Sequence, residues 1–183
     1  MKIIEPNALH NIYDDVIKGA DVKYYKKQFN EVKSLYKNSK GIEATTVVYT
    51  VYSYEQGVPE QAGNLYWGLT VLEPIYINQE CNMTRGHFHQ DKNCAEFYFG
   101  IAGEGLLLLM DEQGTTWAEK VFQGSLHHID GKLAHRLVNT GDTQLKVGAC
   151  WPTTAGHDYE AIETCEFGYR ILKNDQEIIF EKR

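Results

Sequence analysis

Apolar positions change their period partway along the chain. Over the first forty residues they recur at helical spacing, with Leu9, Ile12, Tyr13, Val16 and Ile17 in one set and Val22, Tyr25, Phe29, Val32 and Tyr36 in another. Lys and Glu fill many of the positions between, so residues 1–43 are expected to be amphipathic helices lying on a larger body. From residue 45 the character turns to β. Residues 45–54 (TTVVYTVYSY) are dense in β-branched and aromatic side chains, and residues 65–72 (LYWGLTVL) follow a Gly-containing turn. Beyond residue 95, short apolar runs alternate with turn signals at Gly103-Glu104-Gly105, 111–114, Gln123-Gly124, Asp130-Gly131, 139–142 and 173–175. That rhythm suits an antiparallel sandwich or barrel. The expectation is one all-β domain over residues 1–183, with an N-terminal helical and extended layer in which the helical segment 1–43 packs on a barrel formed by 44–183.

Composition narrows the function. The 183 residues are 43% hydrophobic and 12% aromatic, enough to bury a core. Eighteen Lys and Arg against 25 Asp and Glu leave a net charge of -7, so no basic field is present to hold a nucleic-acid backbone. The longest purely apolar run, Leu106 to Met110, is far too short to cross a bilayer, and no membrane partner is expected. An acid and a proline stand early, in Met1-Lys2-Ile3-Ile4-Glu5-Pro6, where a signal peptide needs an apolar stretch. A cytoplasmic protein is the expectation. Cys81, Cys94, Cys150 and Cys165 form no C-x-x-C pair and read as reduced thiols, Cys94 lying close in sequence to the histidines below.

Two of the seven histidines form His87-Phe88-His89, and in a strand residues two apart project from one face. Glu96 and Tyr98 share a face by the same alternation, with Phe97, Phe99 and Ile101 assigned to the apolar one. A carboxylate in so apolar a strand is costly unless paired or bound to a cation. His135 sits in another strand-like run. Each of these residues alone reads as an ordinary hydrogen-bonded core group; as an ordered set, three imidazoles and a carboxylate suit a divalent transition metal.

The order His87-x-His89, Glu96, Gly103, then Gly124, His135 and Asn139 resembles the two motifs of the cupins, whose fold is a small β-barrel or jelly roll. Cys81 stands where the first motif has Gly, six residues separate His89 from Glu96, and Asp130 and Lys132 replace the usual Pro and Gly of the second. Gly68-Leu69-Thr70, residues 83–89 (MTRGHFH), 95–98 (AEFY) and 155–159 (AGHDY) are similar to one branch, the cupin-type glucose-6-phosphate isomerases, which also show the long gap before Glu96. The resemblance runs from about residue 49 to 159.

It implies that His87, His89, Glu96 and His135 hold one divalent ion per subunit, Fe²⁺, Mn²⁺ or Zn²⁺. Glu96 is then the candidate base, with Tyr98 and His157 shuttling protons to the sugar oxygens. Thr70, Thr84, the Gly86 N–H and Tyr159 would hold the phosphate. Trp151 stands where the family has a phosphate-holding tyrosine, and Arg85 is a donor able to compensate. The implied reaction interconverts glucose 6-phosphate and fructose 6-phosphate, through an enediolate or a metal-assisted hydride shift. The alternative is a non-catalytic metal- and sugar-binding cupin, in keeping with the changes at Trp151, Asp130 and Lys132. The implied partners are a small sugar phosphate and a second copy, in a homodimer. His127 and His128 read as structural and face opposite ways, with His128 expected nearer the pocket. Tyr49 and Tyr52 are open between pocket, core and interface.

Overall fold

The computed structural model describes residues 1–183 apart from Ile12, Asp15 and Gln176. Runs of β-branched and aromatic residues form its strands, with Gly- and Asp-bearing segments turning the chain between them. In chain order these are β1 (Ala8–Asn11), β2 (Val16–Gly19), β3 (Val22–Gln28), β4 (Val47–Glu55), β5 (Leu65–Leu72), β6 (Tyr76–Ile77), β7 (Glu80–Cys81), β8 (Glu96–Ala102), β9 (Gly105–Met110), β10 (Thr116–Val121), β11 (Leu126–Ile129), β12 (Ala134–Asn139), β13 (Leu145–Pro152), β14 (Tyr169–Asn174) and β15 (Glu177–Lys182). One short helix, α1, covers Glu160–Thr164.

A six-stranded antiparallel sheet, ordered β11-β8-β13-β5-β4-β3, makes one wall. The opposing side carries β10-β9-β12 and a four-stranded β15-β14-β7-β6 sheet. The segment between β7 and β8 runs along β12 through bridges Met83↔Val138 and His87↔His135. Both walls feed one apolar core, to which Val48, Leu72 and Val147 come from the first side and Leu107, Leu109 and Leu137 from the second. This is the jelly-roll arrangement expected of the chain.

The N-terminal segment departs from expectation. Where helices were expected, the chain forms the β1–β2 hairpin, the edge strand β3 and two single 3-10 turns at Phe29–Glu31 and Lys33–Leu35. Of the first helical set, Ile12 lies outside the described residues. In the second set Val22 and Tyr25 are strand residues, whereas Phe29, Val32 and Tyr36 still bury their side chains in the core. The reason is tertiary: β4 offers an open row of backbone groups, and β3 pairs with it along its whole length. Three lysines among its seven residues mark β3 as an edge strand.

The alternation along β8 is as read, and the structure settles which face is the inner one. Glu96 and Tyr98 face inward, while Phe97 and Phe99 project outward and are 48% and 41% exposed. The inner face is a polar pocket, so apolar side chains end up outside. Farther along this outer face, Ile17 of β2 packs with Leu69 and Val71 of β5, so the hairpin covers only part of the sheet.

Candidate active site

The site sits between the walls, and backbone pairing places its parts. His87 N–H donates to the His135 carbonyl at 3.3 Å and His135 N–H returns the bond to His87 at 3.1 Å, which sets the two residues opposite each other. His89, two residues on, projects on the same side. Glu96 opens β8 and reaches in from the facing sheet. One ligand atom from each of His87, His89, Glu96 and His135 lies within 4.8 Å of the other three.

The outer contacts fix the imidazoles. A carbonyl only accepts, so His89 Nδ1–H donates to Cys94 O at 2.6 Å, and His135 Nδ1 faces Leu133 O at 3.4 Å. Cys94 therefore serves the site through its carbonyl. Both Nε2 atoms turn to Glu96 Oε1, at 3.3 Å for His89 and 2.6 Å for His135. His135 Nε2 is buried and, despite that short distance, has no hydrogen bond of proper geometry. An orphaned nitrogen beside a carboxylate oxygen, both aimed at a common point, fits a cation between them. Burial acts to raise the Glu96 carboxyl, but the His135 and His89 imidazoles outweigh it and hold the group at about 2. Burial, reinforced by the neighbouring imidazoles, pushes His87 well below the ordinary histidine range, leaving it neutral with a lone pair to give.

Around this cluster runs the pocket. Tyr98, His157, Thr70, Thr84, Gly86, Trp151 and Tyr159 all line it, together with His87, Glu96 and His135. His89 stands behind its wall, 2% exposed. Gly86 has φ of +77°, and a Cβ there would meet Phe167 at 3.0 Å and the His135 carbonyl at 3.1 Å, so both backbone shape and space require glycine. The Thr84 hydroxyl oxygen accepts the Leu137 N–H at 3.0 Å, which leaves its proton to donate. Trp151 lays its ring against Gly68, 2.8 Å from where a Cβ would stand, and meets Tyr66 edge-on. The 155–159 segment is pinned by paired Phe88 and Asp158 backbone bonds of 3.2 and 2.8 Å. It stacks His157 on Tyr159 at 6° and brings His157 edge-on to His87 at 4.4 Å. Desolvation lowers His157 and raises Tyr98 and Tyr159, so near neutrality the imidazole is unprotonated and the phenols keep their protons. The Arg85 guanidinium covers Tyr159 at 4.6 Å and pairs with Glu163 of α1 at 2.6 Å.

Several further lining residues were not among the expected site residues. Tyr25, Val51, Ser53 and Glu55 come from β3 and β4. Tyr49, open between three roles, lines the pocket, whereas Tyr52 turns to the outer face. The expectation for His127 and His128 is corrected. His128 packs outward on Phe97, and His127 is the inward one, held between Glu119 at 2.6 Å and Ser125 at 2.9 Å. Register decides this, because His128 pairs with outward Phe97 and His127 with inward Tyr98.

Residues 26–181 match the model of the glucose-6-phosphate isomerase (GPI) family. Glucose-6-phosphate isomerase of Thermococcus kodakarensis is 37% identical over 132 residues, which are 72% of this chain and 69% of that protein. The Pyrococcus abyssi enzyme of the same name is 32% identical over 168 residues, 89% of this chain and 87% of that one. Among solved structures, oxalate oxidase with glycolate superposes at a TM-score of 0.46 and 12% identity, over 81% of this chain and 58% of that one. The family match and the identities over most of both chains place this protein: it belongs to the glucose-6-phosphate isomerase family, in its cupin-type branch.

Proposed function

We propose that this protein interconverts glucose 6-phosphate and fructose 6-phosphate at the His87, His89, Glu96 and His135 cluster, with one Fe²⁺, Mn²⁺ or Zn²⁺ per subunit, in glycolysis and gluconeogenesis. The observation that carries the reading is the orphaned, buried His135 Nε2 facing Glu96 Oε1 at the pocket. An ion held there supplies positive charge beside O1 and O2 of the open-chain sugar.

The chain's own groups divide the remaining work. Thr70, Thr84, the Gly86 N–H and Tyr159 take the phosphate. Trp151 contributes an indole N–H and a flat apolar wall in place of a phenol, and Arg85 adds a charge at the rim. Going from aldose to ketose, hydrogen moves from C2 to C1, O2 loses a proton and O1 gains one. Glu96, a carboxylate that would be committed to the ion as a ligand, is a weakened base toward a carbon-bound proton. That supports direct transfer of hydrogen with its electron pair between the carbons, while neutral His157 takes the O2 proton and the Tyr98 hydroxyl donates at O1.

The test couples fructose 6-phosphate conversion to glucose-6-phosphate dehydrogenase, on chelator-stripped protein before and after adding Mn²⁺ or Fe²⁺. Turnover restored by metal is expected. A flat trace with confirmed metal uptake would favour the non-catalytic sugar-binding alternative.

The same reading includes a homodimer. The exposed Phe97, Phe99 and Leu126 adjoin one another on β8 and β11, with Phe122 at 53% exposed in the turn before β11. Sedimentation should give twice the 20.9 kDa of the chain, and a monomer at micromolar concentration would overturn it. Among the described residues no helix is long and apolar enough to cross a membrane. Four free cysteines suit a cytoplasmic setting.

A further inference from the structure

The edge strand β3 reaches the pocket through one side chain that the site described above does not use. Tyr24 pairs with Tyr52 and its ring tilts against that ring at 5.7 Å along the outer face, so Tyr25 takes the inner one. Register puts Tyr25 opposite Val51, and Val51 opposite Thr70, in one row across three strands. Two strand spacings separate Tyr25 from Thr70, about 10 Å. A tyrosine spans most of that, and the valine between them is short enough to be reached over. Tyr25 therefore faces the same pocket that Thr70, Thr84 and Gly86 line.

Exposure and charge agree with this placement. Tyr25 is 51% exposed, yet it lines the pocket, and burial of its phenol, with Tyr159 close by, pushes the group up to about 12. The two facts fit a ring with one side in water and its hydroxyl end enclosed. Tyr25 is also close enough to perturb Tyr49 and Tyr98, which line the same space. Among the described residues its hydroxyl has no hydrogen-bond partner. The Lys27 ammonium lies 5.5 Å from the ring centroid and is paired with Glu31 at 3.0 Å, so it brings little net charge to the ring.

We propose that Tyr25 is a substrate-binding residue whose hydroxyl donates a hydrogen bond to the phosphate of the bound sugar phosphate, making the N-terminal edge strand part of the active site. The inference rests on the isomerase reading above and adds a phosphate donor from outside the stretch that carries the family motifs.

The test uses the metal-loaded protein and its Tyr25→Phe variant, which keeps the ring and removes only the hydroxyl. Calorimetry measures sorbitol 6-phosphate, which has no carbonyl to react, and inorganic phosphate as a competitor. The variant should hold the same metal content and bind both probes about ten-fold more weakly, as loss of one charge-assisted hydrogen bond predicts. Equal affinity for both probes overturns the proposal. Weaker binding of sorbitol 6-phosphate with unchanged binding of phosphate overturns it too, by assigning the hydroxyl to the sugar chain. A wild-type protein that holds metal and binds neither probe would bring down the isomerase reading itself, and Tyr25's role with it.

Discussion

His135→Ala is expected to purify without its metal and to convert fructose 6-phosphate at less than about a thousandth of the wild-type rate. His135 is the cluster member with the least alternative employment. Its backbone is paired to His87, its Nδ1 faces a carbonyl, and its Nε2, 1% exposed as a residue, has no hydrogen bond. Removing the ring leaves three ligand groups and a small void in the wall. Positive charge at the sugar oxygens contributes several kcal/mol to such a reaction, and each 1.36 kcal/mol is ten-fold in rate, which gives about the thousand-fold drop. Loss of folding is a separate outcome, so the control is chelated wild-type protein. It should fall to the same rate and recover on adding Mn²⁺ or Fe²⁺, whereas the variant should not recover. A variant that retains metal and half its activity would remove His135 from the site.

Much of this site is legible in the sequence because strand alternation is a local rule. His87 and His89 must share a side, Glu96 and Tyr98 must share another, and the turn signals after residue 95 mark each reversal. What local rules leave out is which side faces in. Phe97 and Phe99 look like core residues, yet the sheet hides its polar pocket and turns them to the surface. The same gap explains His127 and His128, whose roles follow from register with β8. The N-terminal segment fails for a different reason. Seven residues, VKYYKKQ, fit a period of 3.6 about as well as 2, and only the free edge of β4 decides between them. Tyr25 was lost to the site with that segment. The orphaned His135 Nε2 has no sequence signal, since it depends on where Cys94, Leu133 and Glu96 come to rest.

Glu96→Gln separates the two ways hydrogen can pass between C1 and C2. The substitution keeps the shape of the side chain and removes its charge. Outer contacts of metal-binding histidines are worth about 10- to 100-fold in metal affinity, so loss of an ionised ligand should cost on the order of 100-fold or more. If Glu96 serves as a ligand, turnover by the variant should fall with metal occupancy and partly return at high metal concentration. If it serves as the base, the metal should stay bound and turnover should vanish at every metal concentration. Solvent deuterium gives the matching readout on the wild-type enzyme. Direct transfer carries the substrate's own hydrogen from C2 to C1, so glucose 6-phosphate and fructose 6-phosphate equilibrated in D₂O should acquire no carbon-bound deuterium. Proton abstraction hands that hydrogen to a carboxylate that exchanges with water, and label would then appear at C1 of the ketose and C2 of the aldose. A carboxylate committed to the ion and set beside two imidazoles argues for the first outcome. Label at both carbons, with a metal-loaded but inactive Glu96→Gln, would assign Glu96 as the base and reverse the division of labour drawn above.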